Sequence, residues 1–124
     1  MPGRLSTHMC PRFQMAVEIL GRRWTGLILR TLQDGPRRFG ELTKHIEVVS
    51  ERMLSERLKE LEQDGLVIRK VIPSTPVHVE YSLTEKGAAL HDVLAAIERW
   101  AGKWVEATAT ADKPKAPARR TATR

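Results

Sequence analysis

Apolar side chains recur three and four residues apart through most of this chain and switch once to strict alternation. Phe13, Val17 and Leu20 predict a first helix over 11–20. Pro11 would occupy its first position, where a missing N–H costs nothing, and Gly21 would end it. Trp24, Leu27, Ile28 and Leu32 repeat the pattern as a second helix that stops at Asp34-Gly35-Pro36. An extended piece at 37–39 leads into a short third helix over about 40–46, with Leu42 and Ile46 inside. Ser50 is a good N-cap for a fourth helix reaching Asp64, because its hydroxyl can satisfy an orphan N–H. Leu54, Leu58 and Leu61 form the buried stripe of that helix, and Gly65 is its stop.

The period then changes. Residues 66–72 are a β-branched run, Pro73-Ser74-Thr75-Pro76 is a turn, and Val77, Val79, Tyr81 and Leu83 alternate with His78, Glu80 and Ser82. These residues predict a β-hairpin over 66–83 with one buried face. Thr84 would cap one last long helix to about Ala107, with Leu90, Val93, Leu94, Ile97, Trp100, Ala101 and Trp104 on one side. The expected fold is mainly α with a small antiparallel β-hairpin. Helix, turn, helix and hairpin is the order of a winged helix-turn-helix, with dimerisation helices at its N- and C-terminal ends.

That order makes the fourth helix the one to test against a DNA groove. With its leucines inward, a step of about 100° per residue turns Arg52, Ser55, Glu56 and Lys59 outward. Arg52 can read a guanine edge, Ser55 can meet bases or phosphates, and Glu56 can accept from cytosine or pair with Arg52 or Lys59. Ser50 and the helix start suit a phosphate. The wing brings Arg69, Lys70 and His78 to a tip too polar for core, where backbone or minor-groove contact is expected. Arg38, with Arg37, Lys44 and His45, adds positive charge near the same end. Trp24 is expected in the core. Trp100 and Trp104, four apart, are expected at a dimer interface or beside a small-molecule pocket.

Charge changes this picture less than the bulk value implies. The net charge is +6 over 124 residues, but residues 108–124 hold five basic side chains and one acidic, a net +4. Only +2 is left for the rest, so placement of charge carries the argument. The chain divides into a flexible N-terminus (1–9), the winged domain (10–107) and a basic tail (108–124) too poor in apolar residues to fold. No run approaches the roughly 18 apolar residues of a membrane span, no secretory signal is evident, and a cytoplasmic protein is expected. Cys10 is the only cysteine and the four histidines lack ligand spacing, so neither a metal nor a cofactor is expected. Nothing resembles a phosphate loop, a zinc motif or a nucleophile with its base, which argues against an enzyme.

The chain resembles the HxlR-type winged helix-turn-helix regulators, relatives of the MarR group. The likeness rests on Cys10-Pro11, Leu20-Gly21-Arg22-Arg23-Trp24, Asp34-Gly35-Pro36-Arg37-Arg38-Phe39 and Ser50-Glu51-Arg52-Met53-Leu54. It continues through residues 58–66 to Val79-Glu80-Tyr81-Ser82-Leu83-Thr84 and Gly87. It implies a cytoplasmic homodimer on a pseudo-palindromic operator, with the fourth helix in the major groove and the wing on the flanking backbone. His78 departs from the Arg or Lys often found there, which implies a weaker or pH-dependent wing contact. Part of the family senses oxidants or electrophiles through a cysteine at the place of Cys10. Pro11 would put this thiol at an N-cap beside Arg12, favouring thiolate; the other reading is a packing residue. A small-molecule inducer stays unnamed. Two other classes remain open, a winged-helix protein-interaction module and a nucleoid-type binder without sequence preference.

Overall fold

The computed structural model describes residues 10–106. Both the 1–9 segment and the basic tail expected from 108 onward lie outside them. The elements are α1 (Pro11–Gly21), α2 (Thr25–Leu32), β1 (Arg37–Arg38), α3 (Phe39–His45), α4 (Glu51–Gln63), β2 (Val67–Ile72), β3 (His78–Leu83), α5 (Glu85–Ala88) and α6 (His91–Trp104). The expected helix starts and stops hold to within a residue or two up to Leu83. Beyond that point and in the sheet there are differences.

The core lies where α2, α3 and α4 meet the sheet. Ile28, Leu29, Leu42, Leu54, Leu58 and Leu61 are fully buried, with Ile46, Leu66, Val67 and Tyr81 around them. Burying each such aliphatic side chain contributes about 1.5–3 kcal/mol. α4 is closed at both ends. Ser50 Oγ accepts from the Met53 N–H at 3.1 Å, as the sequence predicts. At the other end Gly65 takes φ +78. The Leu66 N–H then reaches the Leu61 carbonyl at 2.9 Å and the Gly65 N–H reaches that of Glu62 at 3.1 Å. A side chain at 65 would strain this turn.

Three expectations need correcting. The wing is a three-stranded antiparallel sheet in the order β1-β3-β2, rather than a bare hairpin. Arg37 pairs with Tyr81 and Arg38 with Glu80. A two-residue strand is too short to show alternation, so its partner can only be seen in three dimensions. The predicted last helix is two helices. Thr84 caps only α5, accepting from the Gly87 N–H at 3.1 Å. A Cβ at Gly87 would stand 2.2 Å from the Leu66 carbonyl oxygen, so this turn lies directly on the backbone leaving α4. The Gly87 carbonyl accepts from the Gln33 side chain at 3.2 Å and from the Leu90 N–H at 3.1 Å. That tightened turn ends α5, and α6 restarts from Leu90.

Trp24 is the third correction. It packs against the core but is half-buried, and it precedes α2 with φ 74. A bulky residue in that region costs about 1–3 kcal/mol and must be held there. Several contacts hold the corner. The Arg23 guanidinium lies 4.6 Å from the Trp24 ring centroid, and Arg57 Nε donates to the Arg23 carbonyl at 2.8 Å. Arg22 bonds the Asp64 carboxylate and approaches Glu60 at 3.7 Å. The α1–α2 corner is thereby tied to the flank of α4.

Candidate nucleic-acid interface

One side of α4 is spent on the core, and this decides what the other side can do. With Leu54, Leu58 and Leu61 buried, Arg52, Ser55, Glu56 and Lys59 all stand in solvent. The Arg52 side chain is 90% exposed, with Nε 3.7 Å from Glu56 Oε2. An exposed i,i+4 pair of this kind is worth about 0.3–0.5 kcal/mol, too little to keep the guanidinium from a better partner. Of the partners considered for Glu56, Arg52 is the one it has in the free protein.

Beside this face a cleft of about 670 Å³ opens between α3, α4 and the wing. Arg38, Lys44, Ser55, Arg69 and His78 border it, with Phe39, Val79 and Tyr81 among its apolar lining. Its one acid is Glu41, whose Oε1 accepts the Arg38 N–H at 2.8 Å. That bond, aided by the charges of Arg37, Arg38 and His45 against a desolvation cost, holds the carboxyl below the usual glutamate range. Glu41 is thus spent on closing the first turn of α3. The potential left in the cleft is positive.

The fold gathers Arg38, Ser55, Arg69 and His78 around one opening, although they are far apart in sequence. Ser50 sits exposed at the start of α4. Lys70 is separated from Arg69 by the pleat. Arg69 pairs with buried Tyr81, whereas Lys70 pairs with Glu80, which in turn pairs with Arg38. Glu80 therefore lies in register between two cations. Val77, expected inside, is exposed. Lys44 belongs to the cleft, where sequence reasoning placed it only nearby. Its signal was the three-residue step from Glu41, which puts both on one face of α3.

Two other helices have the opposite chemistry. α1 buries none of its residues and leaves Phe13, Met15 and Val17 exposed. α6 buries only Leu94 and leaves Val93, Ile97, Trp100 and Trp104 in solvent, the two tryptophans 61% and 66% exposed. Cys10 is exposed at the N-cap of α1, and its side chain caps nothing. Among the described residues no group of His, Cys, Asp and Glu could hold a metal, and no helix is long and apolar enough to cross a membrane.

Comparison with known proteins bears on the family and the fold. The profile of the HxlR-like helix-turn-helix family matches residues 19–109. The HTH-type transcriptional regulator YodB of Bacillus subtilis is 52% identical over 98 residues, which are 79% of this chain and 88% of YodB. The structure of reduced YodB superposes with a TM-score of 0.72, covering 79% of this chain and 96% of that one. YodB has also been solved after diamide treatment and with a bound quinone. The redox regulator HypR in its oxidized form is 34% identical, with a TM-score of 0.72 over 79% of this chain and all of its own.

Proposed function

The chain belongs to the HxlR-like helix-turn-helix family and is a DNA-binding transcriptional regulator, not an enzyme; on that premise we propose that two copies grip a pseudo-palindromic operator. α4 enters the major groove, with Arg52 reading a base edge and Ser55 and Glu56 beside it. Lys59, Ser50, Arg38, Arg69, Lys70 and His78 meet the backbone. The observation that carries this reading is the wholly polar outer face of α4 beside a cleft ringed with cations. A duplex presents base edges in a groove wide enough for one helix, flanked by phosphates that suit such a cleft.

Dimerisation is supported by the exposed apolar residues of α1 and of α6, which a second copy would cover. An isologous pairing through them sets two copies of α4 about 34 Å apart, one turn of DNA. The domain then comprises residues 10–107, and the +4 tail from 108 adds sequence-independent attraction to phosphates. Fluorescence anisotropy with duplex DNA across a salt series tests the reading. Affinity should fall steeply with salt and favour a specific site over mixed sequence. Salt-insensitive binding would contradict it, and so would equal affinity for every duplex.

Cys10 is proposed as the redox-responsive group. Its exposure at the N-cap of α1, the helix assigned to the interface, supports this, as do the diamide-treated and quinone-bound states of YodB. With no other cysteine in the chain, diamide would join two Cys10 thiols of a dimer. Two protons and two electrons pass to diamide, which becomes the hydrazine. A peroxide would instead leave a sulfenic acid. Either product beside the interface changes how one α4 is set against the other. Oxidant should change operator affinity in the wild type and leave Cys10→Ser unaffected; an equal response in both proteins would reduce Cys10 to a packing residue.

A further inference from the structure

The wing holds a hydrogen-bond relay that nothing above uses. Ser74 Oγ lies 2.8 Å from the Pro76 carbonyl oxygen and 3.0 Å from His78 Nδ1. A carbonyl can only accept, so the single hydroxyl proton of Ser74 is committed to Pro76. Toward His78 the same oxygen must therefore accept, and Nδ1 must carry the proton. In the neutral ring this leaves Nε2 as a bare lone pair, and among the described residues nothing hydrogen-bonds it. A bare lone pair repels a phosphate oxygen. Protonation at Nε2 reverses that, giving a charged donor where there was an acceptor.

The surroundings fix the direction in which DNA would act. On its own strand His78 has Glu80 two residues along; across the hairpin it pairs with Ile72, and Lys70 pairs with Glu80. On β1, Arg38 pairs with Glu80. Lys44 of α3 and Arg69 of β2 line the cleft that His78 also borders, where Glu41 is tied to the Arg38 N–H. A backbone phosphate entering the cleft brings negative charge beside the ring, and that favours the protonated form.

We infer that His78 is a phosphate contact that forms with uptake of a proton, so that DNA binding and protonation of the wing are coupled. This inference rests on the proposed seating of the wing on the DNA backbone. Because each favours the other, affinity rises as pH falls. The contact is sequence-independent, and Ser74 is the positioning residue that fixes which nitrogen faces the phosphate.

The test uses the full chain and a mixed-sequence 30-base-pair duplex at constant ionic strength, titrated from about pH 8 to pH 5.5, a range spanning ordinary imidazole titration. Each unit by which the phosphate raises the imidazole titration gives a tenfold change per subunit, so binding should tighten about tenfold or more. His78→Gln should flatten that dependence and bind weakly throughout. His78→Lys should bind tightly at both ends. Nitrogen-15 NMR of the imidazole gives a second readout in the free protein. Above about pH 8, the unprotonated limit, the wild-type ring should be the Nδ1–H tautomer, and Ser74→Ala should lose that preference. A pH dependence equal in wild type and His78→Gln, or an Nε2–H tautomer in the wild type, would overturn the inference alone. No duplex binding at any pH would overturn the wing's seating on DNA and this inference with it.

Discussion

α4 and α6 are both amphipathic, and they use their apolar sides in opposite ways. In α4 the three stripe leucines are fully buried within the chain, and what remains outside is Arg52, Ser55, Glu56 and Lys59. In α6 only Leu94 is buried, and Ile97, Trp100 and Trp104 are left in water. The first helix has satisfied its hydrophobic demand and offers a hydrophilic face suited to a polyanion. The second has not, and its exposed apolar side is what the proposed second subunit would cover. The two helices thus divide the proposed work, one toward DNA and the other toward a second subunit.

The sharpest way to break this contrast is to truncate each stripe. Leu58→Ala should cost about 2–5 kcal/mol of folding stability, because it opens a cavity in a fully packed site. Denaturant unfolding measures this directly, and a change below about 1 kcal/mol would mean that α4 is not the keystone of the core. Trp104→Ala, with Trp100→Ala, should leave the unfolding of the monomer nearly unchanged. Instead it should weaken self-association by about 2–4 kcal/mol for each tryptophan that acts as an interface anchor. Light scattering at micromolar concentration should then report monomers where the parent chain gives dimers.

On the outer face of α4 a smaller effect is expected. Arg52→Ala should lose about 1–3 kcal/mol per half-site and relax the preference at one base position. Lys70→Ala should weaken all duplexes alike and lower the salt slope by about one. Equal loss on specific and mixed DNA for Arg52→Ala would remove its base-reading role. Deleting residues 108–124 should reduce affinity most at low salt and leave the preferred sequence unchanged.

The smallest effect concerns Glu41. Its carboxyl is held below the usual range chiefly by the Arg38 N–H, so the unfolded chain takes up a proton at higher pH than the folded one. Glu41 therefore contributes to stability above the ordinary glutamate range, and that contribution is lost as pH falls through its lowered value. Glu41→Gln should show a shallower loss of stability below about pH 5 than the parent.

The sequence made much of this legible where one rule governs a long stretch. The leucine spacing and Ser50 cap located α4, and the same spacing predicted which side chains would be left outside. The surplus on the last helix was equally visible, because a stripe from Leu90 to Trp104 exceeds what one small core can cover. What could not be read depended on neighbours distant in the chain. Arg37 and Arg38 become a strand only because β3 lies beside them. The predicted single helix from Thr84 breaks because Gly87 lies on the Leu66 carbonyl. Trp24 looked like a core residue by spacing, but it precedes α2 with a left-handed backbone and packs against the core only half-buried. The cleft joins residues from α3, α4 and the wing, so the step from Glu41 to Lys44 showed that they share a face of α3 but not that the cleft opens there.

The central claim is that a two-fold dimer reads DNA through α4. It is tested most directly by selecting bound sites from a random duplex pool with the full-length protein. The account predicts a consensus of two inverted half-sites whose centres lie about 10–10.5 base pairs apart, one turn of DNA. Arg52→Ala should lose the preference at one symmetric pair of positions within it. A single unrepeated site, or a pool that stays random after selection, would contradict the account.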